Sequence, residues 1–328
     1  MSFFSVLFAL LLEQARPLKS TNLVHAALRA WVRWSSQYFD AGKAHHGRMA
    51  WGFAVGVPFV ASWLIYWLLD NFVGWPVAVL WSVAVLYVTL GFRQFSFHFT
   101  QIRDALADGD EKRAWRLLAE WQQLESGTLL RGEIVRHVIE YSVLSAHRHV
   151  FGVLTWFSVL AVFGFGPAGA VFYRLCGFVA YSWQAKDANH HQPVSDSLQK
   201  IAKSAWVLVD WIPARLTAIS FAVVGSFEDA IDAWRNYSAT SHEDNDGVIL
   251  AATAGAVNIN LGSSPVTLGA LEQEKNSTST KNSVEQTGSA APQPPTIVHL
   301  AVIVGLVWRT VVMWMVLLAL LTLARLLG

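Results

Sequence analysis

Charge is scarce in this chain of 328 residues: Asp, Glu, Lys and Arg together supply 14% of it, against roughly 25% in ordinary soluble domains. So few charges cannot cover a water-facing surface of this size, which excludes an ordinary soluble globular protein. Cysteine is nearly missing too. Cys176 stands alone, which excludes an intrachain disulfide and a cysteine-based metal cluster, and its apolar surroundings predict a small buried residue. No Gly-rich phosphate loop of the Walker type occurs, no Gly-x-Gly-x-x-Gly follows a strand, and no Gly-x-Ser-x-Gly elbow appears. Strand patterning is almost lacking, and there is no internal repeat. A net charge of +1 is uninformative about acidic partners, because the basic residues gather by loop, where they read more simply as topology determinants and anionic-lipid contacts than as nucleic-acid ligands.

What is abundant is apolar. Hydrophobic residues make up 54% of the chain, with 16 Trp and 19 Phe. Residues 51–69 and 72–92 approach the roughly 20 uncharged residues needed to cross a bilayer, and Asp70 and Asn71 alone separate them, predicting a tight transmembrane hairpin. Residues 150–173 form a third run with Gly164, Gly166, Pro167 and Gly169 at its centre, so they either cross once with a kink or turn back. Residues 205–227 and 296–324 are the fourth and fifth. Residues 1–12 are apolar but short for a span; they lack a preceding basic residue and a following small-residue cleavage pattern, so the expectation is that they stay in the mature chain.

Basic residues are concentrated before residue 48 and between residues 93 and 149, while the hairpin tip carries none, so the positive-inside rule puts the first two stretches in the cytoplasm. In the second stretch, Ala114, Leu117, Leu118 and Trp121 repeat at helical spacing behind Asp110 and Glu111, predicting an amphipathic helix with acids at its positive end. A second helix is expected over residues 131–149, with Glu133, His137, Glu140 and His147 along one stripe. Residues 272–295, rich in Ser, Thr, Asn, Gln and Pro, read as a disordered linker. The expected organisation is therefore a mostly α-helical membrane bundle with cytoplasmic amphipathic helices over residues 1–271, the linker over 272–295, and a final transmembrane helix over 296–328.

The most informative stretch places Asp210, Pro213 and Arg215 inside the fourth run. A charge at membrane depth costs a few kcal/mol, so such residues pair, line a wet cavity or do chemistry. Five residues along a helix separate Asp210 and Arg215 by about 140°, too far round for a mutual pair, so each needs another partner. Pro213 donates no backbone hydrogen bond and is expected to break or kink the helix between them, opening backbone carbonyls to a site. The eleven histidines include His45-His46, His147-Arg148-His149 and His190-His191; neighbours on a helix point apart, only His137 and Glu140 have facing spacing, and no metal site is expected.

Four stretches resemble the CobD/CbiB family of cobalamin biosynthesis membrane proteins and its relative AmpE. Pro213-Ala214-Arg215-Leu216-Thr217-Ala218 matches the Pro-Ala-Arg-Leu-Thr-Ala signature in full. Gly166-Pro167-Ala168-Gly169-Ala170-Val171-Phe172-Tyr173-Arg174 is similar to the Gly-x-Pro-Gly-Ala-x-x-Tyr-Arg segment. Asn245-Asp246-Gly247, with the later Ala254-Gly255-Ala256 and Leu261-Gly262, resembles the family's Asn-x-Gly, Ala-Gly-Ala and Leu-Gly pattern. Gly109-Asp110 followed by Ala114 looks like its Gly-Asp-x-x-x-Ala. The resemblance implies a multi-pass protein of the bacterial inner membrane and two alternative functions. One is adenosylcobinamide-phosphate synthase, which joins aminopropanol to adenosylcobyric acid with ATP and Mg²⁺. The other is an AmpE-like signalling modulator without that reaction. On the first, Arg174 and Arg215 would hold an anionic corrinoid intermediate, with Glu140, Asp210 and Asn245 as further substrate-binding candidates. On the second, the partner is a membrane or periplasmic signalling protein, and the same residues are structural pairs. Membrane lipids are partners in either case.

Two departures bear on that choice. Where the synthases carry Glu-Asn-x-x-Asp-Gly after the position of Glu140, this chain has Leu144, Ser145, Arg148 and His149. Their Asn-Thr-Leu-Asp element is replaced by Gly177, Phe178, Val179 and Ala180. Carboxylates and amides that could hold Mg²⁺ or orient an amine are missing there. Glu140 survives, and an interaction of Glu140 with Arg215, directly or through a bound anion, is expected.

Overall fold

The computed structural model describes residues 2–15, 23–39, 44–122, 131–184, 194–240, 244–261 and 293–327. The linker expected at 272–295 lies outside them except for its last three residues. The described chain is helical throughout, apart from one isolated bridge between Ile259 and Gln293.

α1 (Ser2–Ala15) and α2 (Leu23–Phe39) precede α3 (Ala44–Leu68), which continues through a π-helical turn at Leu69–Val73. Gly74 then takes φ 116°, a conformation open to glycine, and the chain reverses into α4 (Trp75–Thr89) with Pro76 in its first turn. This is the hairpin expected around Asp70 and Asn71. α1 packs on α4 and on the C-terminal helix α13 (Ile297–Leu327), so the apolar N-terminal segment belongs to the bundle.

α5 (Phe92–Ala107) and α6 (Glu111–Gln122) form a helical pair beside the bundle. Asp110 Oδ1 accepts the Arg113 amide at 3.0 Å, the N-cap bond that the acid-rich start foretold, and Ala114 and Leu118 are fully buried. α7 (Arg131–Ala146) follows and runs without a break through a second π-helical turn, His147–Phe151, into α8 (Gly152–Val162).

The run at 150–173 turns back. α8 stops at Phe163, Gly164 and Gly166 take φ of 83° and 57°, and α9 (Ala168–Gln184) returns antiparallel to α8. Phe165 at the turn packs on Phe59 and Trp63 of α3, at 5.8 and 5.6 Å between ring centroids, so the turn sits toward the hairpin-tip end of α3. The helices touch at Gly169, where a Cβ would collide with the Trp156 carbonyl oxygen of α8. Gly169→Ala is therefore expected to destabilise the fold by about 1–3 kcal/mol through overpacking. Gly52→Ala, where a Cβ meets nothing within 4 Å, serves as the control, and matching melting temperatures for the two variants in detergent would refute the close approach.

α10 (Asp196–Val224) begins next to the start of α3, since Gly47 faces Leu198 and Ile201. α11 (Phe227–Thr240) and α12 (Asn245–Val257) fold into a hairpin against it. Among the described residues, three helices are long and apolar enough to cross a membrane: His46–Val73, Asp196–Val224 and Ile297–Ala324. α4 is a shorter apolar helix, and 150–173 forms two short arms in place of one span.

Candidate functional site

Pro213 sits inside α10 without ending it. The carbonyl it leaves unbonded is that of Val209, four residues back, and Trp156 of α8 donates its indole Nε1–H to that oxygen at 3.0 Å. The opening expected from the proline is thus used to fasten α10 to α8. On the other side, Trp206 meets α9 along two turns: Tyr173 and Tyr181 lie 5.1 and 6.2 Å from its ring, and a Cβ on Gly177 would come within 3.0 Å. α10 therefore crosses α9 at this level, bringing Asp210 over the α8–α9 pair.

Asp210 finds there the partner it lacks on its own helix. His147 Nε2 lies 2.9 Å from Asp210 Oδ1, and His147 Nδ1 lies 2.9 Å from the Thr217 hydroxyl. Tyr173 donates its hydroxyl to the same Asp210 oxygen at 2.8 Å. Asp210, His147, Tyr173 and Thr217 are all buried, at 0 or 1% exposure. Thr217 donates to Nδ1 of a neutral ring and accepts from an imidazolium, so the hydroxyl serves both states. Gly152 is needed beside them because the Tyr173 hydroxyl occupies the place of its Cβ.

Two arginines extend the cluster. Arg148 is ion-paired with Asp246 in the first turn of α12 and lies 5.0 Å over the Tyr181 ring. Burial pushes the Asp246 carboxyl above the usual carboxylate range, against the pull of Arg148. Arg215 hydrogen-bonds Asn245 Oδ1, stacks 4.5 Å over Trp211 and reaches the Trp211 carbonyl at 3.3 Å. Asn245 in turn donates Nδ2–H to the Val207 carbonyl at 2.9 Å. Among the described residues, two buried polar atoms keep no partner here: Asp210 Oδ2 and Arg148 Nε.

Of the five candidates, Asp210, Arg215 and Asn245 meet on α10 and α12. Arg174 is next to Tyr173 in sequence but bonds His149 Nδ1 at 2.5 Å, with Glu13 of α1 in electrostatic reach. The structure gives Glu140 and Arg215 direct partners other than each other. The Glu140 carboxylate lies 3.9 Å from Arg136 and from His137, both on α7, and Arg215 has Asn245. The expected stripe over Glu133, His137, Glu140 and His147 changes character at its end: the first three are half-buried, whereas His147, the first residue of the π-helical turn, is fully buried against Asp210 and Thr217 of α10. His147, Arg148, Tyr173, Thr217 and Asp246 join the site beyond the five. Tyr173, Thr217 and Asp246 stand in the motif stretches, and Arg148 was conspicuous as a base in an acid's place. Among the described residues no group of three or more His, Cys, Asp or Glu could hold a metal ion, so the residues present offer Mg²⁺ no ready-made cage.

The same stretches anchor the comparison with known proteins. Residues 22–254 match the model of the AmpE family, described as a regulatory signalling modulator protein. Among curated proteins, a cobalamin biosynthesis protein CobD from Stutzerimonas stutzeri is 28% identical over 96% of both chains. A CobD from Chromobacterium violaceum is 29% identical over 55% of this chain and 54% of its own. A third, from Leptospira interrogans, is 25% identical over 58% of this chain and 59% of its own. No solved structure matches. With 22–254 of its 328 residues matched and CobD proteins among its relatives, the chain is a helical membrane protein of the AmpE family, within the wider CobD/CbiB group.

Proposed function

We propose that the chain is a multi-pass protein of the bacterial inner membrane that serves cobalamin biosynthesis by binding an anionic corrinoid intermediate at the α8–α10–α12 cluster. One observation carries this reading. Three motif stretches, far apart in sequence, converge there: Tyr173 on Asp210, Thr217 on His147, and Arg215 on Asn245. The full-length similarity to a CobD protein supports the substrate class. Basic stretches lead into α3 and α7, so the proposed site opens toward the cytoplasm, where ATP and Mg²⁺ would be available to a synthase. Arg215, half-buried beside the exposed Leu216, would give the intermediate's carboxylate a cation stacked on Trp211.

A titration tests this. Adenosylcobyric acid is added to the full-length protein in nanodiscs, and binding is followed by corrin absorbance. Saturable binding is expected, weakened by roughly tenfold or more in Arg215→Gln, in line with the loss of a charge-assisted hydrogen bond of about 1.5–3 kcal/mol. Absence of binding by the unaltered protein would sink the proposal.

A second reading has its own observation. Arg148, standing where the synthases carry an acid, is neutralised by Asp246, which leaves that position closed by an internal ion pair. This favours a signalling modulator of the AmpE kind that shares the fold without the chemistry. Genomic neighbourhood separates the two: adjacent corrinoid genes favour the first reading, and a neighbouring amidase gene favours the second.

A further inference from the structure

α2 divides its surface into three sectors. At about 100° per residue, Leu28, Trp31, Val32, Ser35 and Phe39 face the bundle. Val32 and Ser35 are fully buried, and Trp31 is fixed by a 3.1 Å bond from its Nε1–H to the Ala54 carbonyl of α3 and by stacking on Phe53. On one flank Val24, Ala27, Trp34 and Tyr38 form an exposed apolar and aromatic strip, with Trp34 at 41% and Tyr38 at 74% exposure. On the other flank Arg29, Arg33 and Gln37 follow one another at spacings of four residues, all exposed. Among the described residues neither arginine has a carboxylate partner; Arg33 Nε donates to the Arg29 carbonyl at 3.3 Å, which lays its side chain along the helix.

Neither a water-facing nor a spanning position suits such a helix. Water would leave the strip of Trp34 and Tyr38 bare, and hydrocarbon would hold two unpaired arginines at a cost of a few kcal/mol each. A helix lying in the bilayer surface satisfies both flanks, with aromatic rings at headgroup level and cations toward phosphate. Its bundle face is already docked on α3, the first of the long apolar helices, so the position next to the bilayer is set by the fold.

We propose that α2 lies in the plane of the membrane surface and that Arg29 and Arg33 form a binding site for the headgroups of anionic phospholipids in that leaflet. This rests on the membrane reading of the fold and is independent of the corrinoid proposal.

The full-length protein, reconstituted in nanodiscs of phosphatidylcholine mixed with phosphatidylglycerol, supplies the test. Native mass spectrometry after release of the bulk lipid reads the ratio of the two lipids retained. Enrichment of phosphatidylglycerol is expected. Arg29→Gln/Arg33→Gln should reduce it by up to about thirtyfold, since a surface cation contributes about 1 kcal/mol, or roughly fivefold, at an anionic bilayer. Arg29→Lys/Arg33→Lys should keep most of it, and Lys112→Gln on α6 should leave it unchanged. In parallel, a bimane probe on Gln37→Cys in a Cys176→Ala background is expected to be quenched by headgroup-level nitroxide lipid. Equal retention of the two lipids by the unaltered protein, or undiminished enrichment in the Gln variant, overturns the proposal. So does a probe shielded from lipid in a dimeric particle, which would make a second copy the occupant of the flank. Failure of the chain to enter nanodiscs at all would overturn the membrane reading with it, a result distinct from entry without lipid preference.

Discussion

Asp210→Ala is expected to leave little folded protein in the membrane. The substitution strips His147 and Tyr173 of their shared acceptor while both stay buried, and each buried donor left unsatisfied costs about 1–3 kcal/mol. That is a large share of the 5–15 kcal/mol by which folded proteins exceed their unfolded states. Asp210→Asn keeps an acceptor oxygen for Tyr173 and should be milder. Size-exclusion profiles of a fluorescent fusion, together with melting temperatures in detergent, read both effects. The pairing itself is checked by a cycle with His147→Ala: the double variant should fall short of additivity by about 1 kcal/mol or more, as partners in one network do. Additive losses would mean that the 2.9 Å contact carries no energy.

The second large effect concerns catalysis. Little or no cobinamide-forming activity is expected. The positions of the synthases' two acidic and amide elements hold Leu144, Ser145, Arg148 and His149, and Gly177, Phe178, Val179 and Ala180. Leu144 and Phe178 are packed against the core, Arg148 is committed to Asp246, and His149 to Arg174. Lost ligands for a metal and its nucleotide are expected to remove several kcal/mol of transition-state stabilisation, and each 1.36 kcal/mol is about tenfold in rate. Growth on cobyric acid of a cobalamin-auxotrophic strain lacking its own synthase is the assay, with no rescue expected. Robust rescue would show that Arg174, Arg215, Glu140 and Asn245 suffice for the joining reaction. Binding in the nanodisc titration combined with no rescue would mark a protein that keeps the substrate site and has lost the chemistry.

Much of this architecture was legible from apolar run length and loop charge. The hairpin after α3, whose reversal falls at Gly74 just past Asp70 and Asn71, the helix opened by Asp110, and the terminal span all follow from local rules. The reversal at Gly164–Gly166 was readable only as an alternative, because a glycine and proline cluster serves a kink and a turn equally; what decides is the docking of Phe165 on Phe59 and Trp63, a contact made across about a hundred residues. The site divides in the same way. That Asp210 and Arg215 need outside partners follows from their angle on one helix. Which partners they take does not, since His147 reaches Asp210 from another helix 63 residues away in sequence, a contact that no local spacing announces. Glu140 was picked out for surviving where other polar residues were lost, and Arg136 and His137 of its own helix lie 3.9 Å from its carboxylate.

Two of the bonds that hold α10 end on main-chain oxygens, those of Val209 and Val207, while their donors are the side chains of Trp156 and Asn245. A carbonyl is supplied by whichever residue occupies the position. The two ends of each bond are therefore unequal in what substitution can do to them: positions 207 and 209 are free to drift among residues of suitable bulk, whereas 156 and 245 are held to an indole and an amide. At these two points the identities that fasten α10 are thus written on its neighbours, whereas Asp210, Arg215 and Thr217 hold it through side chains of their own and have no such latitude.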